Sequence, residues 1–134
     1  CHVSPEFSID PAAQATVFTL PSRLALVLKP ESSGNLGICL KDPQGNVTPT
    51  SLSLAPNSPI RFRHLVVTGS KNSVRVGCMD HHYNESDTLL WSEPITITPA
   101  KDASTTLCLL SDNGTDNFAG SIDEVRIWNK CLTT

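Results

Sequence analysis

Charged and aromatic side chains are scarce in this chain. Of its 134 residues, 17% are Asp, Glu, Lys or Arg and 5% are Phe, Trp or Tyr. Ten basic and thirteen acidic residues leave a net charge of −3. That balance supplies no basic face, which argues against a nucleic-acid partner held through phosphate neutralisation. No apolar run approaches the roughly 18 residues that a membrane-crossing helix needs, so no membrane insertion is expected. No segment repeats apolar residues at i, i+3, i+4 and i+7. The best helical candidate is one turn, Pro11-Ala12-Ala13-Gln14-Ala15. There is no C-x-x-C pair and no zinc-finger spacing of histidines, which argues against a structural zinc site. The sequence opens on Cys1 with no methionine and no charged-then-apolar leader, which predicts a processed or excised segment.

What the chain has instead is hydroxyls and turn formers. Fifteen Ser and thirteen Thr accompany ten Pro and seven Gly, and the last two are dispersed along the chain. Low charge, many hydroxyls and scattered turn residues suit an all-β domain. The strand signals agree. Arg23 to Lys29 is apolar nearly throughout and stops at Pro30, as a buried strand would. Leu36 to Leu40 is a second strand, and Asp42-Pro43-Gln44-Gly45-Asn46 a strong turn before Val47 to Leu54. Phe62 to Thr68 and Ser73 to Met79 form the clearest hairpin, with Val74, Val76 and Cys78 on one face. Leu89 to Trp91, Ile95 to Thr98, Thr106 to Leu110 and Gly120 to Asn129 complete the set, with polar loops at 80–88 and 111–117. Strands at this spacing, joined by turn chemistry, predict a two-sheet antiparallel β-sandwich in one domain, 1–134.

Five cysteines, Cys1, Cys39, Cys78, Cys108 and Cys131, are widely spaced. Such spacing fits long-range disulfides in an oxidising compartment. Three glycosylation sequons begin at Asn46, Asn84 and Asn113, each in a stretch read as a loop. Both features predict a secreted or cell-surface glycoprotein.

The stretch from Asn117 to Thr133, which contains Phe118-Ala119-Gly120-Ser121-Ile122-Asp123-Glu124-Val125-Arg126-Ile127-Trp128-Asn129, resembles the closing strand of laminin G-like, concanavalin A-like jelly-roll domains. Arg63 to Thr68 followed by Ser73 to Val76 is similar to that family's central hairpin, and Ala25 to Glu31 to an upstream strand. The resemblance covers about residues 20–134, and pentraxins share the architecture. The family's tryptophans are replaced by Leu26 or Val27 and by Arg61 or Phe62, and Gly77-Cys78 stands where its strand usually ends in aromatic-Val-Asn-Gly. The resemblance implies that the terminal strands lie close, hence a Cys1–Cys131 disulfide, with two of Cys39, Cys78 and Cys108 paired and one left over. The leftover thiol is either buried or a covalent link to a neighbouring chain.

The resemblance also implies calcium. Six to eight oxygens must converge on that ion. Asp112, Asp116, Asn117 and Asp123 are the candidate ligands, with Asp80, Asn84, Glu85 and Asp87 in a second loop; the alternative is a solvated turn pivoting on Asn113-Gly114. Read as one continuous strand, the closing motif turns Asp123, Val125 and Ile127 to the core and Ile122, Glu124, Arg126 and Trp128 outward. Asp123 and Glu124 then point apart, so the strand cannot supply the carboxylate pair of a glycosidase. No nucleophile elbow occurs either, and catalysis is not expected. His81 and His82 also point apart on an extended segment and rarely share one ion. With Asp80, Tyr83 and Trp128 they are the candidate ligand contacts, whereas Trp91, beside Leu89-Leu90, reads as core. The expected function is a non-catalytic extracellular recognition or adhesion module that binds glycan or protein through its loops. The competing expectation is a self-assembling structural block of a matrix, sheath or fibre.

Overall fold

The computed structural model describes residues 1–5, 14–20, 23–55, 63–70, 72–80, 89–100, 107–111 and 116–128. Among them are eleven strands and no helix. They are β1 (His2–Pro5), β2 (Ala15–Leu20), β3 (Leu24–Pro30), β4 (Leu36–Lys41), β5 (Val47–Leu54), β6 (Arg63–Ser70), β7 (Ser73–Asp80), β8 (Leu90–Trp91), β9 (Ile95–Thr96), β10 (Cys108–Leu109) and β11 (Gly120–Asp123). A six-stranded sheet runs β11-β1-β6-β7-β8, with β9 also on β7, and a five-stranded sheet runs β10-β2-β3-β4-β5. Every pairing is antiparallel.

The two sheets share one core. Val3, Leu65, Val74 and Val76 come from the six-stranded sheet, and Val17, Leu26, Leu28, Ile38 and Leu40 from the five-stranded one, all in a single cluster. This is the sheet-on-sheet packing of a β-sandwich, as the sequence predicts. The near-continuous apolar run of β3 has a simple cause. Leu26 and Leu28 face the shared core, while Ala25 and Val27 meet Cys39 and Val47 in a second cluster on the other face. Both faces of β3 are dry, so alternation is lost.

Turn chemistry closes the hairpins as expected. Gly45 takes φ +92° in the β4–β5 turn, a conformation that suits glycine. The Asp42 carboxylate accepts the N–H groups of Gln44 (2.9 Å) and Asn46 (2.8 Å) and the Asn46 side-chain amide (3.0 Å). Burial works against its charge, but these hydrogen bonds outweigh that and hold the carboxyl below its usual range. The β6–β7 ladder runs unbroken from Arg63–Asp80 to Ser70–Ser73, so the turn is tighter than the four polar residues expected.

Several expectations are corrected. Two strands, β1 and β2, were not expected; of the helical turn expected over 11–15, Ala15 begins β2 and residues 11–13 lie outside the described set. The closing strand stops at Asp123, not Asn129, because Glu124 takes φ +53° and breaks the extended run. Val3 is fully buried and pairs with Ile122, so Ile122 faces the core and its neighbour Asp123 is exposed. Val125 and Ile127, expected inside, are 37% and 59% exposed. Trp91 is not in the core. It pairs with Gly77 on the outer face of β7, and a Cβ at Gly77 would come within 3.0 Å of its ring.

One buried group lacks compensation. Thr16 is fully buried, and its hydroxyl has no hydrogen-bond partner. Replacing it with the near-isosteric valine removes that desolvation cost. Thr16→Val is expected to raise stability by about 1 kcal/mol in urea unfolding.

Candidate functional site

The site that the fold builds is a strip at the edge of the six-stranded sheet. β11 is the outermost strand there, paired with β1 alone among the described residues. At its end the Asp123 carboxylate accepts the Glu124 N–H (2.8 Å), which fixes the bend at the left-handed residue. The chain then runs from Glu124 to Trp128 with every residue exposed. Val125, Ile127 and Trp128 present apolar surface, Trp128 at 60% exposure. Between them Arg126 donates to the Glu124 carboxylate at 3.0 Å. The outward Trp128 agrees with the sequence reading, but Val125 and Ile127 join it on the surface. Nearby, the Cys1 nitrogen donates to the Leu65 carbonyl (2.9 Å), carrying β1 one residue further along β6. Burial, and then the Arg126 charge, lower the Cys1 amine below its ordinary range.

The calcium candidates fall on both sheets and partly outside the described residues. Asp112 and Asn113 lie outside the described residues. Asp116 adopts φ +48°, accepts the Gln14 side-chain amide (2.9 Å), and accepts the Thr16 N–H on its backbone carbonyl (2.8 Å). It therefore ties its loop to β2 in the five-stranded sheet. Asn117 is exposed, and Asp123 ends the edge strand of the other sheet. Among the described residues no group of three or more His, Cys, Asp or Glu that could hold a metal ion is found. In the second loop Asp80 ends β7 opposite Arg63; His81, His82, Tyr83, Asn84, Glu85 and Asp87 lie outside the described residues. Of the three sequons, only Asn46 is described, exposed in the β4–β5 turn.

Among the described residues Cys1, Cys39, Cys78 and Cys108 form no disulfide with one another; Cys131, and with it the expected Cys1–Cys131 pair, lies outside the described residues. Geometry separates the inner three. Cys39 sits in the cluster on the far face of the five-stranded sheet, while Cys78 sits in the core between the sheets. Cys108 lies three strand positions from Cys39 in the order β10-β2-β3-β4. At about 4.8 Å per step that is roughly 14 Å, about twice the Cα separation that a disulfide can bridge.

The Cys39 thiol is pushed up, chiefly by burial, with Glu31 adding to the rise and Lys29 opposing it. A raised folded-state pKa means that the protonated thiol stabilises the fold. That contribution is complete below the unfolded value of 9.0 and fades as pH climbs through the higher folded value. Urea unfolding from pH 7 to pH 11 should show a decline that Cys39→Val makes shallower. An identical profile for the two proteins would remove Cys39 as its source.

Two structural residues had weaker sequence signals. Arg75 stands 5.2 Å over the Trp91 ring and donates to the Ser92 carbonyl (3.2 Å), clamping β8 onto β7. Gly77 opposite an aromatic was the available clue. Arg63 is 2% exposed in a strand where alternation with buried Leu65 already placed it inward. Comparison with protein-family models, curated proteins and solved structures finds no significant match.

Proposed function

We propose that this protein is a non-catalytic extracellular recognition module, a laminin G-like, concanavalin A-like jelly roll that contacts glycan or protein. The observation that carries the reading is Trp128. The residue is 60% exposed in the segment that follows the edge strand β11, two residues past an exposed Glu124–Arg126 pair able to hydrogen-bond a ligand. An exposed aromatic next to polar groups suits a sugar ring or a protein side chain, because it offers a rigid apolar face with directional partners alongside. The sequence resemblance in 117–133 supports the jelly-roll assignment, and the sequons support a secreted or cell-surface location. Asn46 lies on an exposed turn, where a glycan can be carried.

The test is binding to a glycan array and to immobilised extracellular-matrix proteins, wild type against Trp128→Ala. A saturable signal weakened about tenfold or more by the substitution is expected, tenfold corresponding to about 1.4 kcal/mol. Binding indifferent to Trp128, or no binding at all, overturns the assignment.

A further inference from the structure

The outer face of the six-stranded sheet gathers residues that lie far apart in the chain. The register pairs Asp123 of β11 with His2 of β1, and His2 in turn with His64 of β6. The three therefore occupy one row across three adjacent strands. Alternation places the row on the outer face, because Ile122, Val3 and Leu65, the residues next to them, lie in or against the shared core. Asp123 is exposed and His64 half-buried. We propose that this juxtaposition of one carboxylate and two imidazoles is a binding site for a divalent transition-metal ion of the zinc type.

The donor set suits that ion. Imidazole and carboxylate are both ordinary zinc ligands, and three protein ligands leave a fourth position for water. The ladder supplies the spacing. The Leu65 N–H donates to the Cys1 carbonyl (2.7 Å), and the Cys1 nitrogen donates to the Leu65 carbonyl (2.9 Å), so Cys1–Leu65 is a hydrogen-bonded pair. His2–His64, the next pair along, is then a non-hydrogen-bonded one, in which the Cα atoms approach to about 4.5 Å and cross-strand neighbours lie closest. Asp123 is oriented from its own backbone side: its carboxylate accepts the Glu124 N–H at 2.8 Å, as carboxylates that ligate metals are commonly held by a hydrogen bond. Asp123 and His64 by themselves fall one ligand short of a three-ligand site, and the ladder sets His2 between them. Cys1 takes no part, because it packs against the core on the opposite face.

Calorimetric titration of zinc chloride into the metal-free protein tests the site. Wild type is expected to take up one zinc ion. His2→Ala and His64→Ala are each expected to weaken that binding by about tenfold or more, and Asp123→Asn to weaken it less. The remaining histidines of the chain are His81 and His82. The double variant His81→Ala/His82→Ala is expected to bind zinc as wild type does. Thermal unfolding without zinc reports whether each variant folds. His2 begins β1, so His2→Ala decides the matter even where the half-buried His64 does not tolerate replacement. Wild type that takes up no zinc at millimolar concentration overturns the proposal. Zinc binding that survives His2→Ala unchanged, or that the His81→Ala/His82→Ala variant abolishes, overturns it as well.

Discussion

Replacing Arg63 with alanine is expected to lower stability by about 3 kcal/mol. The residue begins β6, and its side chain points between the sheets, in line with Leu65 and opposite the fully buried Val3. Only 2% of its surface meets solvent. A guanidinium there must be hydrogen-bonded, because an unpaired buried cation is untenable. One partner is the Ala55 carbonyl just past β5, which accepts from Nη2 at 2.6 Å. β5 belongs to the other sheet, so this bond joins the two layers of the sandwich at its margin. Alanine removes the bond, the packing of the long stem and the tie between layers together. Methionine keeps the stem and drops the charge with its desolvation cost, so Arg63→Met is expected to lose less than half as much. Urea unfolding of the three proteins reads both effects. Equal losses for the two variants would assign the whole effect to the hydrogen bond, and no loss for alanine would show that the layers do not depend on it.

The class of fold was legible because the sequence states it several times over. Val74, Val76 and Cys78 alternate with polar residues, and Gly45 and Asp42 supply turn chemistry between β4 and β5; each element agrees with its neighbours. β1 and β2 were missed for different reasons. β1 is four residues long and ends in proline, too short for alternation to register. β2 follows Pro11-Ala12-Ala13, whose composition pulls toward a helical turn, although Thr16, Val17 and Thr19 are good strand formers. The edge site was half legible. Trp128 reads as outward, but Val125 and Ile127 read as core because alternation assumes an unbroken strand. A single left-handed residue, Glu124, resets the phase, and nothing in a non-glycine side chain announces it. Trp91 was misplaced because an apolar run, Leu89-Leu90-Trp91, signals burial but not on which face. The empty position at Gly77 decides that face, and the pairing that brings it opposite is long-range.

Two aromatics within the same closing motif should respond in opposite ways to truncation. Phe118→Ala is expected to destabilise by about 3–4 kcal/mol, the usual range for emptying an aromatic core position. Phe118 is 9% exposed and belongs to the shared core, and its N–H donates to the Leu110 carbonyl at 2.8 Å. That bond pulls the end of the 111–117 loop back to where β10 finishes, and Leu110 N–H in turn bonds the Val17 carbonyl of β2 (2.9 Å). Phe118 is therefore a plug that anchors the loop to the five-stranded sheet before the chain crosses to β11 in the other. Losing its ring leaves a cavity between the layers and loosens that crossing. Trp128, ten residues on, has no comparable role; at 60% exposure its truncation should change stability by less than about 0.5 kcal/mol. Paired unfolding curves for Phe118→Ala and Trp128→Ala make the comparison. A Trp128→Ala loss as large as that of Phe118→Ala would make Trp128 a packing residue and remove the basis for a contact surface at the sheet edge. The expected divergence keeps them distinct: a core aromatic that holds the closing strand in place, and a surface aromatic whose bulk the fold does not use.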